Sequence, residues 1–435
     1  MAIQFGTTKE NASAYLDSKA LTTHTAVLGM TGSGKSGAVL GLAEELVGAR
    51  VPIIIVDIKG DMINFALREQ HPNVVVRCVT PGGTHGEPVN LFSQLADPDK
   101  VIQATSTVLS LVGEDPNPLT SRAHAYMSTV LFNIHTVSMG ASLHDLIGSV
   151  QNPGFDRLGA LDLDVAFPTR ARNNLAGKLN NLLITPSFKA WRQGVTLDLD
   201  KFMNDPFGRT PVLIYSVAHL PSQKEQQFAL SILFDEVLRW TKSLPGTDKL
   251  KACMIVDECV GLLPPYPNNP PTKTALLLLL KQARAFGVGL ILATQNPVDL
   301  DYKAMSNCGT WLIGRLAMER DKKRVIDGVC ANAAVTQTTM EACIGGLQPR
   351  EFVMVRPKGV LTIRSKDVSC ELRGPMSLAD VNMLYHTKQL QYEVPEEAMQ
   401  LQLKAAKQEM DYTEIATLER KLGVFGRVKQ WFGVT

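Results

Sequence analysis

His24-Thr-Ala-Val-Leu-Gly-Met-Thr-Gly-Ser-Gly-Lys-Ser-Gly37 is the stretch that decides the fold. Inside it, Gly29-Met-Thr-Gly-Ser-Gly-Lys-Ser36 fits G-x-x-x-x-G-K-[ST], a glycine-rich loop that wraps nucleotide phosphates. The pattern also arises by chance in long chains, so its flanks matter. Thr25-Ala-Val-Leu28 ahead of it is a short apolar run suited to a buried strand. Ala38-Val-Leu-Gly-Leu-Ala-Glu-Glu-Leu46 behind it has the spacing of an amphipathic helix. Strand, loop and helix are the context such a loop requires. The expected nucleotide-binding residues are Gly29, Thr31, Gly32, Ser33, Gly34, Lys35, Ser36 and Gly37. Backbone N–H groups and the positive helix end would face the phosphates, Lys35 would reach the β/γ oxygens, and the Ser36 hydroxyl would hold Mg2+.

Outward from this loop, apolar runs alternate with helical periodicity, the order of an α/β fold with a mostly parallel sheet. Val51–Val56 and Val74–Val79 read as strands, the first nearly continuous in β-branched residues and so buried on both faces. Pro211–Val217, Lys251–Val256, Val288–Gln295 and Gly309–Gly314 read as further strands, and Glu351–Arg356 and Gly359–Arg364 as two late ones. Between them, helices are expected at about 222–242, 273–286 and 318–327. From about residue 98 to 208 the strand signal fades into helical periodicity. The organisation read from these shifts is a first part of the core over 1–97, a helical insertion over 98–208, the second part of the core over 209–374, and a helical tail over 375–435.

Composition narrows the class. The 435 residues are 45% hydrophobic, enough for a sizeable core, and 44 Lys+Arg balance 42 Asp+Glu. No global basicity announces nucleic acid, so any DNA contact would be local. Residues 170–209 carry seven Lys/Arg against three Asp, a bias that suits phosphates or a solvated helix face. Seven cysteines without C-x-x-C pairs fit reduced thiols rather than a disulfide frame or zinc site. There is no secretion signal, and the longest greasy run, Ala275–Leu280, is far short of the roughly 20 residues that span a bilayer, so a cytoplasmic protein is expected. Leu418, Leu422, Phe425, Val428, Trp431 and Phe432 recur at helix-like intervals near the end, a face for docking on a subunit or on a membrane surface.

Chemistry is expected at the carboxyl ends of the strands. Asp257 closes an apolar strand and suits a hold on the Mg2+ that Ser36 touches, and Glu258 beside it suits orienting the attacking water. Gln295 ends the following strand, where it could contact the γ-phosphate or its water. Arg284 lies near the end of a helix, where a dipole interaction is an equal reading. Asp57 and Lys59 close another strand and could meet the nucleotide, meet a polymer or cap a turn. The eight histidines show no ligand spacing, and His24 reads as structural.

Five ordered motifs carry a family resemblance. Gly-Met-Thr-Gly-Ser-Gly-Lys-Ser at 29–36, Val-Asp-Ile-Lys-Gly-Asp at 56–61 and Met-Ile-Val-Asp-Glu at 254–258 are followed by two longer stretches, 282–297 and 306–316. Together, over roughly residues 21–375, they resemble the HerA-like branch, with a DUF87-type domain, of the HerA/FtsK superfamily of ring ATPases. The resemblance implies a RecA-like P-loop NTPase core, a homo-hexamer with ATP and Mg2+ at subunit interfaces, and translocation of double-stranded DNA, often beside a partner nuclease. It implies catalytic roles for Glu258 as the base, Gln295 as a sensor, Arg284 as an arginine acting in its own subunit, and Asp57 as an acid supporting the site, with Asp257 and Ser36 on the metal. A second expectation is an ATP-dependent scaffold or switch that assembles an effector, as in antiviral defence. Two departures stand out. Only about twenty residues precede the first core strand, so no N-terminal β-barrel is expected. Some relatives place an arginine finger just before the strand histidine, worth roughly 10³ to 10⁵ in rate, and here that position is Thr23, leaving Arg315 or Arg320 as substitutes.

Overall fold

The computed structural model describes residues 2–67, 73–83, 89, 98–137, 143–184, 191, 197–330, 335–356, 359–370 and 373–386. In chain order its strands are β1 (Ala2–Thr8), β2 (Ser13–Asp17), β3 (Thr25–Leu28), β4 (Ile53–Asp57) and β5 (Val74–Val79), then the two-residue pair β6 (Arg157–Leu158) and β7 (Leu161–Asp162). They continue as β8 (Thr210–Ser216), β9 (Thr247–Val256), β10 (Phe286–Thr294), β11 (Thr310–Ile313), β12 (Glu351–Arg356) and β13 (Gly359–Ser365). Eleven of them form one sheet in the order β2-β1-β13-β12-β11-β3-β10-β9-β4-β8-β5. From β11 to β5 all pairings are parallel, and from β11 to β2 all are antiparallel.

Strand β4 is apolar up to Asp57 because both of its faces are covered. Ile53 and Ile55 of β4 point into one core with Val39, Leu42 and Leu46 of the helix Lys35–Gly48. Ile54 and Val56 point into the other, with Leu230, Phe234 and Val237 of the helix Gln223–Ser243. That alternation is the two-residue period of a strand, and double coverage is why the sequence shows no polar face here. Ser222 caps the second helix by accepting from the Glu225 N–H at 3.2 Å.

The segment after residue 98 is helical as expected, with helices Pro98–Leu111, Arg122–Val137 and Thr169–Ile184, broken by the small β6–β7 hairpin that the sequence did not suggest. Its apolar residues, Val108, Tyr126, Leu131 and Leu179 among them, join the same core as one face of the sheet. Glu236 ties the two together, accepting from the Leu199 N–H at 3.0 Å and from Arg239, with Lys100 at 3.3 Å. Three basic residues of the 170–209 stretch have acidic partners: Arg172 with Asp164, Lys178 with Glu114, and Arg209 with Asp205. Three of the five described basic residues of the stretch are thus paired within the fold; Lys189 and Arg192 lie outside the described residues.

At the other edge, the residues before the first core strand form a hairpin, β1–β2, that extends the sheet beyond β13. The sequence missed it because Ala2–Asp17 is short and mixed in polarity, so its pairing with β13, from Gly6 opposite Ser365 to Thr8 opposite Ile363, is what makes it a strand. The tail begins with the helix Leu378–His386; the expected apolar face at 418–432 lies outside the described residues. No helix among the described residues is long and apolar enough to cross a membrane.

Candidate nucleotide-binding site

In a parallel sheet all strands end on one edge, and registers decide which ends coincide. Leu28 at the end of β3 pairs with Thr294 of β10 and Ile313 of β11, and Val256 at the end of β9 pairs with Val56 of β4 and Leu292 of β10. The loops after these strands therefore emerge side by side, and they carry Gly29–Ser36, Asp57–Lys59, Asp257–Glu258 and Gln295. Open α/β sheets place ligands at such an edge.

The phosphate loop is braced at its start, where Met30 N–H donates to Arg315 O at 2.8 Å, and at its middle, where Ser33 N–H donates to Met30 O at 3.1 Å. Gly34 is the N-cap of the helix Lys35–Gly48, in the left-handed conformation at φ 88°, with no side chain to cap the first turn and no acid within it. The first N–H groups of a helix lack intrahelical acceptors, so this uncapped end is built for an anion. Gly34 is required twice over, since an added Cβ would sit 3.0 Å from Arg350 Cα and 2.7 Å from its Cγ. Gly32, also left-handed at φ 77°, faces open space on the loop.

Arg350 is a contributor that no motif announced. Its N–H donates to Ser33 O at 2.8 Å, its guanidinium donates to Ser365 O at 3.0 Å, and its own φ is 68°. It clamps the loop from the β12 side. The only hint in sequence is the glycine at 34, and nothing there names the partner.

Lys35 is nearly buried and donates to Asp257 O at 3.0 Å, while its ammonium lies 3.9 Å from both the Asp257 Oδ1 and the Glu258 Oε2. Lys59 donates to Glu258 Oε2 at 2.8 Å. Both oxygens of Asp257, and Oε1 of Glu258, are buried without a hydrogen-bond partner. Burial pushes the Asp257 carboxyl up, against the pull of Lys35 and Lys59. Buried carboxylate oxygens without donors are costly and call for a cation or its bound water. Mg2+ fits that donor set, to which Ser36 in the first turn of the helix would add a hydroxyl, since it takes oxygen ligands and keeps several waters. Glu258 Oε1 is the remaining oxygen placed to accept a proton.

Gln295 does not stand alone. Thr31 of the phosphate loop donates its hydroxyl to Gln295 Oε1 at 2.8 Å, so the glutamine at the end of β10 is held by the loop it would report on.

Asp57 takes the turn-capping option among its open readings. Its Oδ1 accepts from Gly60 N–H at 2.8 Å and Met62 N–H at 3.3 Å, and its Oδ2 accepts from the Ser216 hydroxyl at 3.0 Å. It is fully buried, and burial raises its carboxyl to about 6. Its acceptors are turned to the 57–62 turn, and that turn presents Lys59 to Glu258. Lys59 is thus the residue of this pair that meets the site.

Arg284 is a correction. It lies in the turn Ala283–Ala285 that precedes β10, at the amino edge of the sheet. Nine strand residues separate that turn from the Gln295 end, about 30 Å at the usual rise per residue. Arg284 is exposed and cannot reach the nucleotide loop of its own chain. It lies close enough to His24 to depress that imidazole electrostatically, though burial is the larger cause, and together they bring His24 down to about 4. His24 is structural: Leu290 N–H donates to its Nδ1 at 3.0 Å, so its Nε2 carries the hydrogen toward Leu280 O at 3.1 Å. Arg315 is likewise no candidate for the far edge, because its carbonyl braces Met30 beside the loop of its own chain.

Residues 3–125 match the family model described as helicase HerA, central domain. An 80-residue stretch is 32% identical to the probable helicase MJ1565 of Methanocaldococcus jannaschii, spanning 18% of this chain and 16% of that protein. Among solved structures, VirB4 of Thermoanaerobacter pseudethanolicus superposes with a TM-score of 0.58 at 14% identity, over 84% of this chain and 96% of that one. The plasmid coupling protein TrwB, in complex with a non-hydrolysable ATP analogue, gives 0.59 at 15% identity, over 86% of this chain and 92% of that one. The same protein in complex with ADP and Mg2+ gives 0.57 at 15% identity, over the same shares. At these identities the likeness is one of fold, a RecA-like P-loop NTPase core. Over residues 3–125 the chain is similar in sequence to the central domain of helicase HerA, and over most of its length it shares the fold of VirB4 and TrwB.

Proposed function

We propose that this chain is the subunit of an ATP-hydrolysing ring, a homo-hexamer that threads double-stranded DNA beside a separately encoded nuclease or effector. The observation that carries this reading is the placement of Lys35, Asp257, Glu258 and Gln295 at one sheet edge, with the Asp257 oxygens and Glu258 Oε1 lacking hydrogen-bond partners and the helix after the loop uncapped. Ser36 and Asp257 would hold Mg2+, which when bound would supply charge neutralisation on the phosphates. Lys35 leaves the Asp257 carbonyl for the β/γ oxygens. Glu258 Oε1 takes a proton from water as the water oxygen bonds to the γ-phosphorus and the bond to the ADP oxygen breaks. Thr31 and Gln295 pass the state of the γ-phosphate to β10. Arg284, on the opposite edge beside the vacant finger position Thr23, acts on the nucleotide of the next subunit in the ring.

The experiment measures ATP hydrolysis with and without duplex DNA. Glu258→Gln is expected to bind ATP and to lose turnover; equal turnover in both proteins removes Glu258 as the base. Stimulation by a partner protein and none by DNA would replace the motor with an ATP-dependent scaffold. In mixed rings, Arg284→Ala subunits are expected to recover hydrolysis when their neighbours carry Arg284. No recovery would return the arginine to a purely structural place.

A further inference from the structure

Away from the phosphate loop, a cavity of about 440 Å³ opens between the turn Pro297–Asp299, the short helix Tyr302–Ser306, β11 and the helix Glu319–Cys330. Its volume falls within the roughly 300–1,000 Å³ of small-ligand sites. One wall is apolar and aromatic, with Val298, Tyr302, Met305 and Trp311. The other is a single helix face, because Arg320, Lys323, Arg324 and Asp327 are spaced i, i+3, i+4 and i+7. Three cations thus line a pocket that holds one carboxylate.

Two of these cations are not committed elsewhere in the fold, and the third is committed only in part. Of the acids on the same helix, Glu319 is paired with Lys322, and Asp327 accepts from Gln337 Nε2 at 3.0 Å through its Oδ1. Among the described residues, neither Arg320 nor Lys323 makes an ion pair or hydrogen bond. Arg324 donates one Nη2 hydrogen bond to Leu300 O at 2.6 Å, while its Nε is buried with no partner. An unpaired buried guanidinium nitrogen beside two free cations is an unfavourable arrangement that an anion relieves. Tyr302 is 62% exposed at the rim, a large ring without a packing partner to cover it. Trp311 is the floor, fixed by its indole N–H donating to Cys308 O at 2.9 Å.

We infer that this cavity binds a phosphorylated nucleoside unit. Its phosphate lies against Arg320, Lys323 and Arg324, its base stacks on Tyr302 along the apolar wall, and Asp327 accepts from a sugar hydroxyl or a base amino group. Charge and stacking are both needed to explain the lining; an inorganic anion would leave the aromatic wall unused, and an apolar ligand would leave the cations unpaired. The same unit can come as a free nucleotide or as one residue of a single strand. None of the residues that line it belongs to the phosphate loop, and its wall begins at Val298, three residues after Gln295.

The test uses the full chain carrying Lys35→Ala, so that the phosphate loop does not compete. Adenosine monophosphate and a short single-stranded oligodeoxyadenylate are titrated separately by calorimetry. Saturable binding of the monophosphate identifies a free nucleotide as the source, and binding of the strand alone identifies a nucleotide within a chain. Either is expected to weaken about tenfold or more when Tyr302→Ala and Lys323→Ala are added, the loss of one stacking partner and one charge. Circular dichroism checks that the triple variant is folded. Absence of binding by both probes, or binding unchanged in the folded triple variant, overturns the inference.

Discussion

Replacing Asp57 by asparagine separates two opposing influences on the carboxyl at the end of β4. Burial raises it from 3.8 to about 6, and the like charge of Asp257 pushes the same way, whereas the hydrogen bonds from Ser216, Gly60 and Met62 pull it down. A folded-state value above the unfolded one means that the folded chain holds the proton longer. Stability from this group is then fully present below about pH 4 and is lost as pH rises through about 6. A shift of about two units corresponds to about 3 kcal/mol. Asparagine keeps Oδ1 as the acceptor for Gly60 and Met62, and its amide can donate to the Ser216 oxygen, so the turn should survive. The assay is urea denaturation of wild type and Asp57→Asn across that range, in chelator and without nucleotide. The stability of the variant relative to wild type is expected to climb by about 3 kcal/mol between about pH 4 and about pH 7. A difference that stays flat, or one that falls with pH, would show that the three donors balance or outweigh burial and would refute the reasoning.

Other outcomes follow from single contacts. Thr31→Val removes the donor to Gln295 Oε1 at 2.8 Å and should lower the turnover number while leaving nucleotide affinity within about twofold, read by steady-state kinetics beside a nucleotide-binding titration. Lys59→Met removes the 2.8 Å contact to Glu258 Oε2; turnover should fall about tenfold or more as the base loses its orientation, and unchanged turnover would make Lys59 a bystander. Gly34→Ala forces a side chain into a left-handed position against the Arg350 backbone and should destabilise by about 1–3 kcal/mol, seen as a lower melting temperature.

Much of this was legible locally. The alternation of apolar strand and amphipathic helix around Gly29–Ser36, and the acids and amide that close the later strands, are short-range patterns whose physics acts within one element. They fix Lys35, Asp257, Glu258 and Gln295 at strand ends, and parallel registers then bring those ends to one edge. The choice between turn cap and site residue was not legible at Asp57 and Lys59, because both roles need a polar residue at the same place; only the donors around Asp57 and the distance from Lys59 to Glu258 separate them.

The elements, their order and the chemical types at the nucleotide edge are thus written in the order of residues along the chain, since they rest on periodicity and on adjacent residues. Tertiary structure decided everything that depends on partners far apart in it. It paired β1 with β13, seated Arg350 against Gly34, and gathered Tyr302 and Trp311 with the cations of one helix face around a cavity. It also set Arg284 on the edge opposite its own nucleotide loop, because the length of β10 separates the two, and a strand's length is fixed by its pairing rather than by the motif at either end.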